Sequence, residues 1–137
     1  MMRKRLRSDR GQSAVEIALF LPILLTVLYT VFQFGQVYLQ FQEVSAATSE
    51  GARRASNMAA VADPGRTSTI VATVRGGVSV GNAATFDPAS LSVTVTSSWT
   101  PGSPVTVTTS YPASVTILGA TLFSADLTTK RTARILN

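Results

Sequence analysis

The feature that most constrains this chain is the stretch from Ala14 to Phe34, AVEIALFLPILLTVLYTVFQF, whose one charged residue is Glu16. Its uncharged polar residues are Thr26, Thr30 and Gln33. As a helix, a run of this length spans about 31 Å at about 1.5 Å per residue, close to the hydrocarbon thickness of a bilayer. A chain of 137 residues has room for one small folded unit besides. The stretch therefore reads as a transmembrane helix, and lipid as its surroundings.

Charge gives this helix a direction. Arg3, Lys4, Arg5, Arg7 and Arg10 stand before it against Asp9 alone, while everything after Gly11 carries seven basic and six acidic residues. The positive-inside rule then keeps the N-terminus in the cytoplasm and sends about two-thirds of the chain to the outer side. Tyr29, Phe32, Phe34, Tyr38 and Phe41 supply the aromatic outer end expected at an interface. A cleavable secretory signal has a shorter apolar core with small residues just beyond it. Here the next small-residue patch, Ser45-Ala46-Ala47, lies well past the run, which favours retention.

The basic excess belongs to a short tail. A nucleic-acid module would spread its arginines over a folded face, so no nucleic-acid partner is expected. The chain has neither cysteine nor histidine, so disulfides, thiolate chemistry and histidine-based triads are excluded and zinc or copper sites are disfavoured. The acids and bases of the C-terminal half (Asp87, Asp126, Lys130, Arg131, Arg134) are scattered, and Asp63 and Asp87 each precede proline, as turn residues do. No catalytic residue, metal ligand or cofactor is assigned, and an enzyme is not expected.

Two residues are unusual for a plain anchor. Pro22 removes a backbone donor inside the helix and is expected to kink it. Glu16 costs several kcal/mol if it is ionised and unpaired within the apolar layer. Taken alone, it admits two readings, a carboxylate resting at the cytoplasmic headgroups or one kept for a cationic partner.

Gly11-Gln12-Ser13-Ala14-Val15-Glu16, between a basic leader and an apolar helix, resembles the processing site of type IV prepilins and pseudopilins. Residues 10–56 are similar to the TadE-like family of tight-adherence (Flp) pilus pseudopilins. The matching features are Arg10-Gly11-Gln12, Glu16, Leu21-Pro22, Phe34-Gly35 and Glu50-Gly51-Ala52-Arg53. Ile17 stands where major Flp pilins carry tyrosine, which favours a minor component over the main filament subunit. The resemblance implies cleavage between Gly11 and Gln12 by a prepilin peptidase, and a role for Glu16 in assembly. It also implies other pilin and pseudopilin subunits and the inner-membrane platform of the pilus machine as partners. Two alternatives stay open: a pseudopilin of a related secretion system, and a permanently anchored extracytoplasmic adhesin or binding module.

The expected fold is α+β, a pilin-like long N-terminal transmembrane helix packed against a small antiparallel β-sheet. Residues 1–11 form the basic leader, 12–35 the transmembrane helix, 36–62 its extracytoplasmic continuation and 63–137 a small β-rich domain. Asp63-Pro64-Gly65 stops the helix. Glu50, Gly51 and Arg53 are candidates for contact with an assembly partner, although a small-residue face packed on the chain's own domain is the favoured reading. Glu50 is spaced to pair with Arg54. A short second helix is expected over 67–74. Strands are expected around Leu91–Val95, Val105–Tyr111 and Phe123–Ile135, the first two joined through Thr100–Pro104, with Pro112 ending the second.

Overall fold

The computed structural model describes residues 6–58, 65–78, 87–117 and 119–136, with the side chains of 6–10 left aside. The basic residues Arg3, Lys4 and Arg5, and the stop at Asp63-Pro64, lie outside them. Helix α1 (Leu6–Ser56) is followed by α2 (Arg66–Gly77), a 3-10 turn at Pro88–Ser90, and strands β1 (Ser92–Ser97), β2 (Pro104–Ile117) and β3 (Ala120–Arg134). The strands form one antiparallel sheet in the order β1-β2-β3. The expected α+β, pilin-like architecture of one long apolar helix on a three-stranded sheet is the one observed.

Helix α1 is long and apolar enough to cross a membrane, with a mean hydropathy of 2.2 in its most apolar window. Pro22 lies inside it without ending it, and Thr26 Oγ1 donates to the Pro22 carbonyl at 2.8 Å. The helix stops at Ser56, short of the expected Ala62. Asn57 and Met58 tighten into a final turn by donating to the carbonyls of Arg54 and Ala55, and the Leu136 N–H caps the Ser56 carbonyl at 3.0 Å. The returning C-terminus thus satisfies a carbonyl that the helix end leaves without a partner.

Only one stripe of the outer half of α1 is covered. It begins at half-buried Thr30 and continues through Gln33, Val37, Gln40, Val44, Thr48, Gly51 and Ala55, with Ala47 and Ala52 beside it. Steps of three and four residues keep such positions on one helical face. Against this stripe β2 lays Val105, Val107, Thr109, Tyr111, Ala113, Val115 and Ile117, every second residue, all buried. Ile70 and Val74 of α2, with Val78, Leu91 and Ile135, close the core. The one polar residue in the β2 row, Thr109, meets Thr48 across the interface, their hydroxyl oxygens 2.9 Å apart. At the edge, Arg131 of β3 donates to Ser45 Oγ at 2.8 Å and Ser49 Oγ at 3.1 Å.

Thr100-Pro101-Gly102-Ser103 forms the turn between β1 and β2. Ser103 N–H donates to the Thr100 carbonyl at 3.0 Å, and Gly102 has φ 79°, as the third position of a type II turn requires. The expectation that Pro112 ends the second strand is wrong. β2 runs on to Ile117, and Pro112 pairs with Asp126 of β3. The reason is positional: pairing with β1 stops at Ser110, so past that point β2 is an edge on one side, where a missing N–H costs no ladder bond.

Candidate functional site

The segment singled out for processing and assembly lies at the bare end of α1. Gly11 and Gln12 are helical and exposed, in a helix that starts at Leu6 and not at the expected Gln12. The Gly11–Gln12 bond is therefore wound into the helix. Glycine is about 1 kcal/mol worse than alanine in a helix interior, so Gly11 is where this winding is cheapest to undo. An added Cβ there would meet nothing within 4 Å, so packing does not explain the glycine.

Glu16 is exposed on α1, and Gln12 Nε2 donates to Glu16 Oε1 at 3.3 Å. Its neighbours on the same strip are Ser13, Ile17, Phe20, Leu21 and Leu24. From Gly11 to Tyr29 every residue is exposed, so among the described residues nothing supplies this carboxylate with a cation or this apolar surface with a cover. The helix is built to be covered by something other than its own domain.

The second candidate cluster divides. Gly51 is buried, and a Cβ there would collide with Val74 Cγ2, so its bare backbone is what lets α2 seat on α1. Glu50 and Arg53 face solvent and pair with each other, Nη2 to Oε2 at 3.0 Å. Glu50 thus takes the partner three residues on, not Arg54; both spacings bring side chains together on a helix.

What the sequence did not reveal is a junction where the sheet grips the apolar helix. Gln33 Nε2 donates to the Thr116 carbonyl at 2.6 Å, and the Thr116 N–H donates to Gln33 Oε1 at 3.1 Å. One side-chain amide therefore satisfies both backbone groups of a strand residue. A groove of about 340 Å3 beside this junction is lined by Tyr29, Gln33, Gln36, Gln40, Tyr111 and Ser114. Burial raises the pKa of the Tyr111 phenol above its ordinary value, and the carboxylate of Asp87 adds to the shift. At the far end of the sheet, the Arg66 guanidinium lies 5.3 Å from the centre of the Trp99 ring. Among the described residues, no three acidic side chains cluster as a metal site would need.

Residues 11–53 match the family model described as TadE-like protein, a span running from Gly11 through Glu16 to the Glu50–Arg53 pair. No match was found to a curated protein or to a solved structure. The likeness to the TadE-like protein family is thus carried by this N-terminal segment, about a third of the chain.

Proposed function

We propose that the protein is a minor pseudopilin of a tight-adherence pilus, a structural subunit and not an enzyme. In this reading it sits in the bacterial inner membrane with its N-terminus cytoplasmic and is matured by a prepilin peptidase between Gly11 and Gln12. The observation that carries the reading is the bare segment Gly11–Tyr29, exposed throughout, with Glu16 its sole charge. The match of residues 11–53 to the TadE-like family model supports it.

The chemistry follows from where Glu16 stands before and after the cut. In the unprocessed chain Glu16 lies well inside α1, ten residues from its start at Leu6. Removing residues 1–11 makes Gln12 the first residue and brings Glu16 into the first turns. There the helix macrodipole is positive and a new α-amino group lies about 6 Å away along the axis. A carboxylate and an amine that are both withdrawn from water cost less when they meet. Staggered packing of one subunit against the next would let the carboxylate of one meet the amine of its neighbour. The apolar strip around Glu16 would then be covered by neighbouring helices and lipid.

Glu16→Ala tests this. The variant is expected to be cleaved as the parent is and to stay in the inner-membrane fraction, failing to enter sheared pilus preparations or to cross-link to pilin. Incorporation at the parent level would remove the assembly role from Glu16.

A further inference from the structure

We infer that the tip of the β2–β3 hairpin is a second membrane contact, a foot resting in the outer headgroup and acyl boundary of the bilayer beside α1. The inference rests on the reading of α1 as a membrane-spanning helix and goes beyond it by giving the C-terminal domain a lipid-binding surface of its own.

The depth of the tip follows from the register between sheet and helix. Thr109 meets Thr48, and Thr116 meets Gln33. Seven strand residues at about 3.3 Å each and fifteen helical residues at about 1.5 Å each both advance about 23 Å. β2 therefore runs straight down α1 toward its apolar end. Gln33 is the penultimate residue of the apolar run, and the hairpin continues past Thr116 to Ile117 before turning, so that Thr30 is the first residue of α1 to be half-buried. The tip thus ends level with residues that belong to the apolar layer or its border.

The tip has the composition that such a depth requires. Residues 113–125, ASVTILGATLFSA, hold no charge, whereas Asp126, Lys130, Arg131 and Arg134 all stand nearer the root of β3. At the level of the Gln33 clamp the pairing slips. Val115 pairs with Phe123 and Thr116 with Thr121, which leaves Leu122 as an extra residue without a partner. A bulge of this kind re-aims a side chain. Leu122 is 66% exposed and Phe123 46% exposed; among the described residues outside α1, the one other large apolar side chain so exposed is Leu136. This apolar tip is continuous in depth with the bare helix surface and with the aromatic residues Tyr29 and Phe32, which are of the kind found at membrane interfaces. A soluble partner would have to enter that layer to reach it. Lipid is already there.

The chain lacks cysteine, so a single introduced thiol can carry a nitrobenzoxadiazole fluorophore without background. Leu122→Cys, Ile23→Cys and Thr128→Cys in the full chain would be labelled and reconstituted into phosphatidylcholine vesicles, with and without a mixture of phosphatidylcholines spin-labelled near the headgroup end and near the methyl end of the acyl chain, so that both the border and the centre of the bilayer are reported. The Leu122 label is expected to lose emission in spin-labelled vesicles by a factor comparable to that at Ile23, while the Thr128 label does not respond. Quenching at Ile23 but not at Leu122 would overturn the foot and leave the spanning helix standing, even if the Leu122 emission were blue-shifted by contact with protein. No quenching at Ile23 would mean that α1 is not in the bilayer, and the foot would fall with it.

Discussion

Gln33 and Thr116 are joined as two strands are joined, by one bond in each direction, although Gln33 lies in a helix and contributes only its side chain. The amide closes on the strand where its pairing with β3 slips, between Val115 and Thr116. Gln33→Ala leaves two part-buried backbone groups without their partner, a loss of about 1–3 kcal/mol. Gln33→Glu rescues little, because a carboxylate can accept from the Thr116 N–H but has no proton for the carbonyl. Both variants are expected to lower the thermal midpoint in detergent micelles and to speed hydrogen exchange at the Thr116 amide. Parent-like protection at Thr116 in both would show that the clamp contributes nothing.

Gly51 and Gly76 make opposite predictions. A methyl group at Gly51 runs into Val74 Cγ2 of a fully buried side chain, so Gly51→Ala should destabilise by about 1–3 kcal/mol through overpacking. At Gly76 an added Cβ meets nothing within 4 Å, and Gly76→Ala should be neutral or stabilising by up to about 1 kcal/mol. Thermal unfolding of the two variants side by side checks the pair, and the sign of the difference is the result.

Tyr111 predicts the behaviour of the fold in alkali. Its phenol titrates higher in the folded chain than in the unfolded one, first because it is buried and then because Asp87 stands near. The folded state therefore holds the proton more tightly. Its contribution is complete below the ordinary tyrosine value of about 10 and declines as pH rises through the higher folded value. Denaturant unfolding between pH 8 and about 11 should show stability falling above about pH 10, and Tyr111→Phe should flatten that decline. An equal slope in the variant would mean that other groups carry it.

Much of the architecture was readable in the residues because its signals are local. The run Ala14–Phe34 and the alternation Val105-Thr106-Val107 each carry their own periodicity, and Pro101-Gly102 carries its own turn. The errors arose where a distant element decides. Pro112 looked like a strand end because its effect on a ladder is local, but whether that effect matters depends on how far β1 reaches. Gln33 looked like a stray polar residue in an apolar helix because Thr116, its partner, lies 83 residues away. The bulge at Leu122 exists only in the pairing of two strands. Of the candidate site, Gly11, Gln12 and Glu16 were legible because spacing along one helix is a local quantity. The packing of Gly51 on the chain's own domain was the favoured reading, but that α2 is the element covering it was not legible, because that depends on a distant segment.

The central claim concerns a covalent change. The direct measurement is the mature N-terminus, by mass spectrometry of the protein extracted from membranes of cells with and without an active prepilin peptidase. The account predicts a chain beginning at Gln12 that depends on the peptidase. A chain that still carries residues 1–11 beside an active peptidase would contradict the account, and would make α1 a permanent anchor for the domain it carries.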